Sequence, residues 1–235
     1  MENIIEENTK FDEKNTEEIA IKKKLNILLY NIITFDANEW EEIHNQLNEG
    51  IVGKNVSSKD CYRIGFIKYL IGFAKENNIL FAKDGNHFYI YNGQYWIKIS
   101  EDLLKGFLHI AAKKMGIPDS LSSCVKFIKS TYEQLIESGF FEKMVQSNVT
   151  HLNVLNGTIN IDLDGVKLVN FDSKHFLTHQ LDFVYDKNII NQIWLDFLNK
   201  VLPDKDTQKT LQQAIAYLFI KDLKLEKIIF LYGIG

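Results

Sequence analysis

The chain has 235 residues, 46% of them hydrophobic, 12% aromatic and 25% charged, which excludes a disordered or fibrous protein and fits one large or two small globular domains. Its formal net charge of −4 excludes a strongly basic protein, yet the charge is uneven. Residues 1–50 hold twelve Asp/Glu against five Lys, net −7, which leaves +3 for the remainder. The two cysteines, Cys61 and Cys124, lie far apart with no CxxC and no nearby histidine pair, a pattern of a reducing compartment that offers no zinc site. No apolar run approaches the roughly 20 residues that cross a bilayer, and the N-terminus is acidic where a signal peptide is basic, so a cytoplasmic location is expected.

Residues 1–18 are polar and acidic and read as a disordered leader. From Glu18 to about Ile33 the apolar residues Ile19, Ile21, Leu25, Leu28, Leu29 and Ile32 recur at helical spacing, with Lys22, Lys23 and Lys24 on the solvent side. Asp36 followed by Glu39 is a capping box that starts a second helix reaching Asn48. Ser58 or Asp60 starts a third, ending near Asn77. Phe88–Tyr91 and Tyr95–Ile99 are aromatic and β-branched, and Asn92-Gly93 between them predicts a two-residue hairpin turn. Tyr95 and Trp96 are candidate DNA-binding residues, because an exposed aromatic stacks on a base at about 1–3 kcal/mol. Packing within the sheet is the competing role for them.

Ser100 caps a helix running to about Met115, and another is expected over Ser120–Ser138. Lys113, Lys114, Lys126 and Lys129 on these two helices form a modest basic surface, the lysines best suited to DNA phosphates. From His151 the period falls to two, giving strands Gly157–Leu163 and Val166–Phe171 across an Asp164-Gly165 turn. Asp162 and Asp164 are explained by strand alternation and turn preference, and His175 and His179 fall in a segment that reads as extended, so no metal site is assigned. Asn191–Leu202 is an amphipathic helix, Asp206 or Thr207 caps another, and Ile228–Tyr232 reads as a buried strand ending in Gly233-Ile-Gly235. In a phosphate-binding loop such glycines bring backbone N–H groups close to the phosphates, with a lysine and a Ser or Thr hydroxyl following.

This order of signals resembles the phage and plasmid primase-helicases, a group that includes the poxvirus primase-helicase. The resemblance rests on Leu152-Asn-Val-Leu-Asn-Gly-Thr-Ile-Asn-Ile161 with its hairpin, Phe176-Leu-Thr178, Tyr185-Asp186, the aromatic turn Tyr91–Trp96, Leu211-Gln-Gln-Ala-Ile-Ala-Tyr-Leu218 and Ile228–Gly235. Ala216 departs from it where the family has glycine. It covers residues 60–235 and implies an α+β fold, with a helical N-terminal part, β-hairpins inserted between helices, and a two-helix segment leading to the first strand of an AAA+ core. The implied organisation is a leader over 1–18, a helicase-associated accessory domain over 19–186, a collar-like segment over 187–225, and the start of the motor over 226–235.

The family implies a hexameric superfamily 3 helicase that uses ATP and Mg²⁺ to move along single-stranded or forked DNA, replicating a mobile element in a bacterial host cell. Gly233 and Gly235 match the opening of its Walker A loop. The lysine, hydroxyl, Walker B carboxylates and arginine finger would lie beyond Gly235, so this chain alone is not expected to hydrolyse ATP. The other reading of the residues is a stand-alone small DNA-binding or adaptor protein.

Overall fold

A computed structural model describes residues 2–49, 56–137, 142–143, 149–221, 226 and 230, without the side chains of 2–15 and 142–143. The fold is α+β and divides into two compact units, Met1–Val145 with Asp172–Thr178, and Gln146–Phe171 with His179–Gly235.

In the first unit, helix α1 (Glu2–Asn31) buries Ile21, Leu25 and Leu28. The leader expected to be unstructured is helical from Glu2. A helix already anchored by packing extends without a second nucleation step, and the Glu18–Lys22 pair (2.6 Å) supports it where the extension begins. Helix α2 (Ala37–Asn48) opens on the capping box, in which the Asp36 carboxylate accepts from Glu39 N at 2.9 Å and the Glu39 carboxylate accepts from Asp36 N at 2.7 Å. Helix α3 (Ser58–Glu76), capped by the Ser57 hydroxyl, runs through the core with Phe66, Ile67, Leu70 and Ala74.

Strands β1 (Phe81–Asp84), β2 (His87–Tyr91) and β3 (Trp96–Ile99) form an antiparallel meander, and β4 (Glu142–Lys143) pairs parallel to β1. Phe88 opposite Ile99 and Ile90 opposite Ile97 make its core face. The connection from β2 to β3 takes four residues rather than two. The Asn92 side-chain oxygen accepts from both Gln94 N and Tyr95 N (2.8 Å each), which closes the turn locally and places Tyr95 in it rather than in a strand.

Helix α4 (Glu101–Lys114) follows, capped by Ser100. Gly116 ends it at φ +85°, where a Cβ would run into the Phe35 carbonyl. The helix expected over 120–138 is two: α5 (Asp119–Ser122) and α6 (Val125–Glu137), broken at Ser123–Cys124, where the Cys124 carbonyl accepts from Phe127 N and Ile128 N to begin a new helix. Every described member of the main apolar core belongs to this unit.

The second unit holds the antiparallel sheet β5 (Thr150–Val154), β6 (Gly157–Asp162), β7 (Gly165–Val169), in that order. Asp162 pairs with Gly165, so the second turn is Leu163-Asp164, one residue earlier than expected. Gly157 has φ +150°, and a Cβ there would strike the Val169 carbonyl. Helices α7 (Gln192–Val201) and α8 (Lys205–Tyr217) complete the described part. The cap of α8 is Asp204, not Asp206 or Thr207. Its carboxylate takes both the Thr207 N–H (2.7 Å) and hydroxyl (2.6 Å), and these bonds hold it below the usual aspartate range. The strand expected over Ile228–Tyr232, with Gly233 and Gly235, lies outside the described residues except for Phe230. Among the described residues no helix is long and apolar enough to cross a membrane.

Candidate nucleic-acid interface

The hairpin β2–β3 has one face on the core and one turned outward, and Trp96 falls on the outward face. Trp96 is nevertheless only 2% exposed. Residues 172–178 return to the first unit and cover it: the indole N–H donates to Ser173 O at 2.8 Å, Trp96 N donates to Leu177 O at 2.8 Å, and the ring stacks on Phe176 at 5.7 Å. Trp96 is therefore a packing anchor with no open ring face, and Tyr95 is half-buried against the core. Two motif pieces from distant parts of the sequence, the aromatic turn and Phe176-Leu-Thr178, meet here. What stays open on the outward face is His87, Tyr89 and Lys98, with Lys98 opposite Tyr89 and its Nζ 3.4 Å from His87 Nε2. Burial, then the charge of Asp84, pushes the Tyr89 phenol above its ordinary value.

The four lysines are held in different ways. Lys114 donates to Leu29 O (2.6 Å) and Tyr30 O (3.1 Å), satisfying the last carbonyls of α1, so it acts as a helix cap. Lys113 pairs with Asp119 at 3.3 Å. Lys129 lies 4.0 Å from Glu133 on the exposed side of α6. Lys126 stands in the first turn of α6 beside Cys124, whose sulfur faces the backbone N–H groups of Phe127 and then Lys126. Those groups hold the thiol below its ordinary value, and the charges of Lys59 and Lys126 add to the effect. Lys59 lies in the first turn of α3, far from Cys124 in the chain, so its charge at that thiol is not visible in the sequence. A helix N-terminus with two lysines beside it attracts anions, and Lys129 continues the patch one turn further on.

In the second unit the most specific motif turns out to be a clamp. The Asn156 side chain donates to Tyr185 O (2.9 Å) and accepts from Tyr185 N (2.9 Å), and Leu155 N donates to Phe183 O at 3.0 Å. Asp186 then accepts from Asn188 N in a local turn. Asn156-Gly157 and Tyr185-Asp186 thus fix how the chain leaves the sheet towards α7. Asp162 accepts from Asp164 N, Asp164 pairs with Lys167 at 3.8 Å, and among the described residues no group of three His, Cys, Asp or Glu could hold a metal.

Residues 66–203, more than half the chain, match the family model described as D5 N terminal like. The chain belongs to the D5 N-terminal-like family. The matched segment runs from α3 to just past α7 and includes Trp96, the covering run 172–178 and the Asn156–Tyr185 clamp. It makes this part of the chain similar to the N-terminal region of phage and viral primase-helicases, and suggests the N-terminal part of a primase-helicase-like replication protein. No curated protein matches the chain.

Proposed function

We propose that the chain is an accessory and assembly segment of a superfamily 3 primase-helicase of the phage, plasmid and poxvirus kind, acting in replication of a mobile element. Residues 19–186 form the accessory part, 187–225 a collar that joins copies into a ring, and 226–235 the start of an AAA+ motor. The observation that carries this reading is α7. Its apolar residues span a wider arc than its own unit covers: Leu198 is fully buried, while Ile193 is 84% and Phe197 52% exposed, and the Trp194 and Phe197 rings stack on each other at the outside. A protomer in a ring buries such a face against its neighbour.

Lys59, Lys126 and Lys129 serve as weak phosphate contacts for single-stranded or forked DNA, and Lys113, held by Asp119, contributes less. ATP and Mg²⁺ belong to the motor. Gly233 and Gly235, which match the opening of its nucleotide loop, fall outside the described residues.

The test is the mass of the chain in solution by sedimentation velocity. The wild-type chain is expected to form species larger than a dimer at micromolar concentration, and Ile193→Asp/Phe197→Asp to abolish them with an unchanged circular dichroism spectrum. A wild-type chain that never exceeds a dimer would overturn the collar.

A further inference from the structure

Helix α4 carries a glycine that its own chain does not require. Gly106 lies in the middle of the helix, exposed, and a Cβ there would meet no atom within 4 Å. A mid-helix glycine weakens the helix relative to alanine, and here no turn, positive φ or crowding neighbour compensates. Gly106 lines a groove of about 340 Å³ between α1 and α4, with Leu103 and Ile110 beside it on α4 and Lys22 and Asn26 on α1. An apolar recess continues along α1 past Ile19, Ile27 and Tyr30. All three, and Ile110, are exposed. A missing Cβ at the floor of a groove lets a second helix come closer, since the distance between packed helices follows the side chains between them.

A helix of complementary charge is present in the same sequence. Residues 2–18 carry seven Asp/Glu and two Lys, while residues 19–31 carry three Lys and no acid, so α1 is acidic in its first half and basic in its second. Lys22 and Asp102 line the groove itself, and Lys22 and Lys23 line the recess that continues along α1. Among the described side chains of α1, the first buried one is Ile21. We infer that the acidic half of α1 from a second copy of this chain occupies the α1/α4 groove, the two α1 helices running antiparallel about a two-fold axis. An antiparallel pairing sets acid against base at both ends, whereas a parallel one sets like against like. A helix of this length spans about 45 Å, so each copy gives one half and receives the other. The internal pair of Lys22 with Glu18 is a surface contact that competes weakly.

This pairing uses the first unit only and is independent of the collar on α7. The experiment therefore uses the full chain carrying Ile193→Asp/Phe197→Asp, studied by sedimentation velocity across a NaCl series. The expected species is a dimer that dissociates as salt rises. Gly106→Leu, which favours the helix and fills the groove, is expected to weaken the dimer about tenfold or more, and Lys22→Glu/Lys23→Glu to do the same. Glu6→Lys/Glu7→Lys/Glu13→Lys is expected to abolish self-pairing, and a mixture of the two charge-reversed chains to form heterodimers. A monomeric Ile193→Asp/Phe197→Asp chain, a dimer indifferent to Gly106→Leu, or the absence of heterodimers would each overturn the pairing. A wild-type chain that shows this dimer and nothing larger would overturn the collar and leave the pairing standing.

Discussion

The two units bury their apolar residues to very different degrees. The first draws α1–α4, α6 and its sheet into one continuous core, and even its surface-looking signals, Trp96 and Lys114, are used to close it. Among its described large apolar residues, the second fully buries only Val154, Ile159 and Leu198, and leaves Ile189, Ile190, Ile193, Phe197, Leu218 and Phe219 exposed. The first unit closes a core of its own and leaves its exposed apolar residues mostly along α1 and the α1/α4 groove, whereas the second leaves most of its described apolar residues open.

The strongest challenge to that contrast is Trp96→Ala, expected to destabilise the first unit by about 3–5 kcal/mol in urea unfolding. Normal stability combined with weakened DNA affinity would return Trp96 to the role of a base-stacking residue. Next is Asn156→Ala, which removes both bonds of the clamp. An expected loss of about 1–3 kcal/mol should show as faster amide exchange confined to residues 179–186. Asp36→Ala breaks the capping box of α2 and should cost about 1 kcal/mol, read from the thermal midpoint.

Smaller effects test the proposed phosphate contacts. Lys59→Ala/Lys126→Ala should leave stability unchanged and weaken single-stranded DNA binding, with a salt slope shallower by about 0.7 for each phosphate no longer neutralised. An unchanged slope would remove these lysines from the interface. The thiols should separate by pH. The Cys124 thiol is held low by backbone N–H groups, so its thiolate persists as pH falls below the ordinary cysteine value. The Cys61 thiol is pushed up chiefly by burial and stays protonated to higher pH. Iodoacetamide should therefore label Cys124 first and at lower pH, and the reverse order would contradict the geometry around it.

Much of the fold was legible because its signals are local. The Asp36/Glu39 box, the Ser100 cap and the strand that begins at Gly157 all depend on residues a few positions apart, and each appears in the structure. The candidate site was less legible because its determinants are not local. Nothing near Trp96 announces that residues 172–178 return to cover it, and nothing near Lys114 announces that the end of α1 comes within reach of its ammonium. Lys59 acts on Cys124 from a different helix, which the sequence around either residue does not announce. Short-range departures had short-range causes. The Asn92 side chain lengthened a turn, the Cys124 carbonyl started a new helix, and Asp204 capped α8 ahead of the residues expected to do so.

Peptide-resolved hydrogen exchange of the wild-type chain over a range of concentrations tests the contrast most directly. The account predicts that residues 192–201 gain protection as concentration rises, while α3 and the first sheet, buried within a single protomer, exchange at a constant rate. Exchange in α7 that does not depend on concentration would contradict the claim that its apolar face is an assembly surface.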